Sequence, residues 1–72
     1  MTRSEHLQWA KDRAKEYIDA GDTANAWASF ASDMRKHDEL TSHPALMIGM
    51  QRLLMGDFRL PADCWRFIQG FN

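Results

Sequence analysis

A disulfide within this chain is excluded, because Cys64 is its only cysteine. A small fold without that staple fits a reducing compartment, and the expected location is the cytoplasm. Long hydrophobic runs are missing as well. No stretch approaches the ~20 apolar residues that span a bilayer, and the opening residues MTRSEHLQW do not form a signal peptide, so no membrane is expected as a partner. A charge excess of either sign is missing too. Nine basic and ten acidic residues leave a net charge of -1. A phosphate-neutralising protein shows a basic excess or stripe, and a DNA mimic shows an acidic one. Nucleic acid is therefore not the expected partner. Finally, there is no sustained alternation and no β-branched run, which excludes a sheet.

What remains is apolar residues at helical spacing. The 72 residues make one domain, 1–72, and three tryptophans with 44% hydrophobic residues argue against disorder. A core of this size rarely supplies more than ~3–5 kcal/mol unless a disulfide, a metal or a second subunit reinforces it.

The fold class read from the spacing is all-α, a compact bundle of about four short helices. Thr2 and Glu5 stand in the capping-box pattern. Behind them Leu7, Ala10, Ala14, Tyr17 and Ile18 make one apolar face, with Trp9 off its centre beside Arg13 and Glu16. Gly21 suits the left-handed position after a helix. Asp22 or Thr23 then caps a second helix with the face Ala24, Trp27, Phe30, Ala31 and Met34, flanked by Ala26 and Ala28. So short a turn makes the first two helices a tight antiparallel hairpin, whose aromatics are expected to meet the third helix.

Ser42 or His43 caps that third helix, and Pro44 opens it. The stretch Pro44–Gly56 is the most apolar in the chain and is expected to form the centre of the bundle. On a helical wheel Leu46, Met47, Met50, Leu53 and Leu54 share the expected core face. Ile48 and Met55 fall on the opposite side, near Gln51 and Arg52. Pro61 starts a fourth helix that carries Cys64, Phe67, Ile68 and Phe71 on one face, with Trp65 beside it.

Ala14, Tyr17, Gly21, Ala26 and Phe30 match the tetratricopeptide repeat in order and spacing, so the hairpin is partly TPR-like. Ala10 and Asp33 depart from that pattern. Gly56-Asp57 echoes Gly21-Asp22 in the second half, but Pro61 breaks the register. Any tight helical hairpin selects small residues and aromatics at such places, and this plainer reading is preferred.

No residues form a catalytic, cofactor or metal motif, and neither an enzyme nor a cofactor is expected. His6, His37 and His43 lack the three- or four-residue spacing of helical metal sites and read as surface or capping residues. Cys64 could serve a nucleophile, but its apolar neighbours make it a core residue. Asp12, Glu16 and Asp19 alternate with lysines on a solvated face. Arg52, Arg59 and Arg66 are spaced by seven, but Gly56 and Pro61 break any stripe they would make.

The blocks HLQWAKDRAKEYIDAGD, SDMRKH, HPALMIGM and RFIQGFN together resemble a family of very short helical proteins encoded by tailed bacteriophages. The resemblance implies a setting, the cytoplasm of an infected bacterium, and an accessory role. It carries no activity over to any residue. Small phage proteins of this kind bind and redirect a host protein, or blunt a host defence such as CRISPR.

The expected function is accordingly non-enzymatic: protein–protein binding to a host or phage protein, with inhibition of a defence system (an anti-CRISPR activity, for example) as one form. The expected partner-binding residues are Trp9, Arg13, Ile48, Arg52, Met55, Trp65 and Arg66, because aromatics and arginines dominate interface energies. A second copy of the chain would satisfy the same strip, as a homo-oligomer. A small nucleic-acid-binding regulator and a self-assembling structural factor are the alternatives.

Overall fold

The structure is a computed structural model that describes residues 1–72. It contains four helices and no strand: α1 (Arg3–Asp19), α2 (Thr23–Met34), α3 (Ala45–Leu54) and α4 (Pro61–Gln69). Local chemistry sets their ends. The Glu5 N–H donates to Thr2 Oγ1 at 3.1 Å, and the Thr2 N–H donates to Glu5 Oε1 at 3.0 Å. This capping box satisfies two orphan donors at once. Donation to the Glu5 carboxylate from the Thr2 backbone N–H, and secondarily from the Thr2 hydroxyl, favours the ionised form and holds this carboxyl below its ordinary range.

α1 and α3 end in the same way. Gly21 and Gly56 take positive φ, 76° and 81°. Asp22 N–H reaches back to Tyr17 O and Asp57 N–H to Arg52 O, both at 2.9 Å. These are the six-to-one bonds of a Schellman turn, which needs a left-handed residue at its corner. The Asp22 side chain then caps α2 by accepting from Asn25 N–H at 3.2 Å. At α3 the N-cap position is Pro44, just outside the helix it was expected to open, and His43 Nδ1 before it accepts from Ala45 N–H at 3.2 Å.

α2 is the element that touches all the others, while α3 packs chiefly on α2. Its Trp27 is fully buried. The ring centroids of Phe30, Phe58, Phe67 and Phe71 lie 5.8–6.2 Å from that of Trp27. Ala10 and Ala14 of α1 and Ala26 of α2 are also wholly buried, and their small side chains allow the close approach of neighbouring helices. The ends of the chain are tied together. Lys11 Nζ donates to the carbonyls of Gln69 (3.1 Å) and Phe71 (2.8 Å), which satisfies acceptors that the end of α4 leaves unpaired. Burial pushes the Lys11 ammonium pKa down.

Several expectations need correction. The centre of the bundle is Trp27 on α2, and the stretch Pro44–Gly56 lies at its edge. Of the expected core face of α3, Leu46 is buried and Leu53 is half-buried, but Met47, Met50 and Leu54 are exposed. The reason is Gly49. A Cβ built there would overlap Cη2, Cζ2 and Cζ3 of Trp27. The bare backbone therefore lies directly on the indole, and the helix is turned so that Leu46, Gly49 and Leu53, one face at i, i+3 and i+7, look inward. Tyr17 is also exposed rather than core. On α2 the flank residue Ala26 is buried and Ala24 is not, because neighbours grip α2 on more than one side.

Candidate docking surface

The turn of α3 toward Trp27 leaves its opposite face in solvent. Met47, Leu54 and Met55 are 71%, 80% and 76% exposed, and Ile48 and Met50 are partly so. Met47, Met50 and Leu54 follow each other at i, i+3 and i+7. Ile48 and Met55 run alongside, seven apart, so all five belong to one helical surface. The only polar residue within it is Gln51. Leu60, just before α4, is also largely exposed. Single exposed apolar side chains are ordinary, whereas contiguous apolar patches of more than a few hundred Å² are rare on the surfaces of monomeric proteins.

A groove borders each flank of α3. One, of about 670 Å³, is lined by His43, Arg52, Asp57, Asp63, Arg66, Phe67 and Phe71, with Ala45 and Gly70. Arg52 lies 5.4 Å from the Phe58 ring centroid and 5.2 Å from that of Phe67, with Asp57 Oδ2 3.7 Å away. Arg66 faces Asp63 at 3.6 Å. Each arginine thus has a carboxylate, and the groove carries no cationic surplus for an anion. The other groove, of about 590 Å³, runs from Arg35 and the Thr41–Pro44 segment to Leu46, Met47 and Met50, and merges with the apolar strip.

The seven expected interface residues do not form one surface. Ile48 and Arg52 lie on α3 and Met55 at its C-cap, and both Ile48 and Met55 are exposed. Arg52 and Arg66 share the first groove. Trp65 is half-buried against the core on α4, with Lys15 Nζ 5.7 Å from its ring centroid. Trp9 and Arg13 belong to a separate cluster around Asp33. Three residues of the strip were missed by the wheel: Met47, Met50 and Leu54. The signal that places them is Gly49, since a lone glycine inside a helix of large side chains marks the face of closest approach.

Asp33 was also not anticipated. Its side chain is 2% exposed, yet it pairs with Arg13 Nε at 2.7 Å and Lys36 Nζ at 3.1 Å. The backbone carbonyl of Asp33 accepts from His6 Nε2 at 2.6 Å. Trp9 lies among these groups: the Arg13 guanidinium is 5.0 Å from its ring centroid and the His6 ring 5.1 Å. His6 is therefore a buried residue that joins the start of α1 to the end of α2, not the surface residue expected from its spacing. The cluster buries a charge only where cations and hydrogen bonds compensate it, which is what such burial requires.

Cys64 is wholly buried, and burial pushes its thiol pKa up to about 11. It stays protonated near neutral pH, whereas nucleophilic cysteines are held as thiolates. No group of three or more His, Cys, Asp or Glu side chains is arranged to hold a metal ion. No helix is long and apolar enough to cross a membrane. Comparisons with protein families, with curated proteins and with solved structures return no match.

Proposed function

We propose that this chain is a non-enzymatic accessory protein that acts by protein–protein binding through the outward face of α3. The observation that carries this reading is the division of α3. Leu46, Gly49 and Leu53 face the core, with Gly49 directly on Trp27, while five large apolar side chains stay exposed on the opposite side. Met-rich strips adapt to a partner surface, because methionine is flexible and polarizable. The balanced charge and the carboxylate beside each of Arg13, Arg52 and Arg66 favour a protein partner over nucleic acid.

The setting we assign is the one the resemblance implies, the cytoplasm of an infected bacterium. There the partner is a host or phage protein or a further copy of the chain, and suppression of a host defence such as CRISPR is one specific outcome. The test is affinity capture of the tagged chain from infected cells, wild type against the double variant Leu54→Glu/Met55→Glu. The expected result is a co-purifying protein that the variant loses while keeping wild-type helicity by circular dichroism. Equal capture by both chains would remove α3 as the docking face.

A further inference from the structure

We infer that the occupant of the α3 face is a second copy of this chain, paired antiparallel about a two-fold axis at Gln51. The inference rests on the reading of this face as a protein interface, and it names the partner. Its basis is a symmetry in the strip. Gln51 lies at the centre of the exposed arc, and the positions three and four residues away on either side (Met47, Ile48, Leu54 and Met55) are all exposed and apolar. A two-fold contact requires a self-complementary patch, in which residue i meets j and j meets i. Placing one α3 face to face with another, in opposite directions, sets Met47 beside the second copy's Leu54 and Ile48 beside its Met55. Each contact then occurs twice.

The chemistry at the centre is self-complementary as well. A glutamine amide carries both donors and an acceptor, so Gln51 pairs with Gln51 of the second copy, whereas a Lys or Glu at this position would meet its own charge. Met50 meets Met50 along one edge. Along the other edge, Arg52 is drawn back over Phe58 and Phe67 beside Asp57, which keeps the two guanidinium groups from opposing each other bare. Oligomerisation is also one of the ways in which a core of this size gains stability. A stable interface takes ~800 Å² from each partner. Five large side chains of the strip, Met47, Ile48, Met50, Leu54 and Met55, are 37–80% exposed and supply the apolar part of such an interface. Trp9, Arg13, Trp65 and Arg66 lie outside the pairing face.

The test combines sedimentation equilibrium of the purified chain with disulfide trapping. Wild type should sediment as a dimer that dissociates on dilution, and Leu54→Glu should be a monomer of native helicity. Gln51→Cys should oxidise to a covalent dimer, because the two positions face each other. Met47→Cys alone should not, since an antiparallel pair separates its two copies by ~12 Å along the helix axes. Wild type, with Cys64 buried, is the control and should stay unlinked under the same oxidation. A monomeric wild type, or equal trapping at positions 47 and 51, overturns the inference. If the chain is monomeric yet captures a foreign protein that Leu54→Glu/Met55→Glu loses, this inference falls and the docking face stands. If neither association is found, both fall.

Discussion

Gly49 of α3 lies so close to the indole of Trp27 that a single methyl group has no room between them. This one contact sets the rotation of α3, and with it the composition of both the core and the exposed strip. Gly→Ala inside a helix ordinarily gains ~0.5–1 kcal/mol from backbone entropy. Here the added methyl must displace a fully buried tryptophan in contact with four phenylalanines, and overpacking of that kind costs ~1–3 kcal/mol. Gly49→Ala should therefore lower the urea midpoint, opposite to the sign that helix propensity gives.

The two faces of α3 should answer differently to the same substitution. Leu46→Ala removes a buried side chain from a small core and should cost ~2–5 kcal/mol. Leu54→Ala touches an exposed position and should stay within about ±0.5 kcal/mol of wild type. Thermal denaturation of the two variants, at a concentration where the chain is monomeric, separates them. Equal losses would mean that the wheel was right and both leucines are core.

Asp33 holds a buried carboxylate between Arg13 and Lys36. Asp33→Asn keeps the shape and removes the charge, and it should cost ~1.5–3 kcal/mol, the range for hydrogen bonds to charged groups. The half-exposed cations keep it from the larger losses of a fully buried pair. A double-mutant cycle with Arg13→Ala should return a coupling of ~0.5 kcal/mol or more. Strict additivity would mean that the pair contributes nothing.

Cys64 makes stability depend on alkaline pH. Its folded-state pKa, about 11, is raised above the ordinary value of 9.0 by burial. A raised pKa means that the folded chain holds this proton more tightly than the unfolded one. The contribution is complete below pH 9 and is lost as pH rises toward 11. Wild type should therefore lose more stability than Cys64→Ala across that window, measured as the change in urea midpoint for each. At pH 8 the thiol should react with a disulfide reagent only as fast as the chain unfolds.

Helix ends were legible in the sequence because they depend on neighbours in the chain. Thr2 with Glu5, Gly21 and Gly56 each act within one turn, and each does in the structure what its spacing implies. The all-α class was legible for the same reason. The orientation of α3 was not, because a wheel weighs side chains by hydrophobicity and gives Gly49 almost no weight. The indole of Trp27, 22 residues earlier in the chain, decides which face turns inward, and only the folded structure brings the two together. Asp33 was missed likewise: its cations come from α1 and from one turn onward, and no local pattern shows that they converge. Ile48 and Met55 were assigned to the outer face correctly, but as a thin remainder. The structure widens that remainder to five residues by adding Met47, Met50 and Leu54.

We propose that the outward face of α3 is covered by another protein surface in the cell. A photo-crosslinking amino acid placed at position 54 tests it directly, with position 16, on the solvated side of α1, as the reference. A covalent adduct is expected from position 54 and none from position 16, and an adduct of twice the chain's mass identifies a second copy as the occupant. An unlinked chain at position 54, or the same products from both positions, would contradict it.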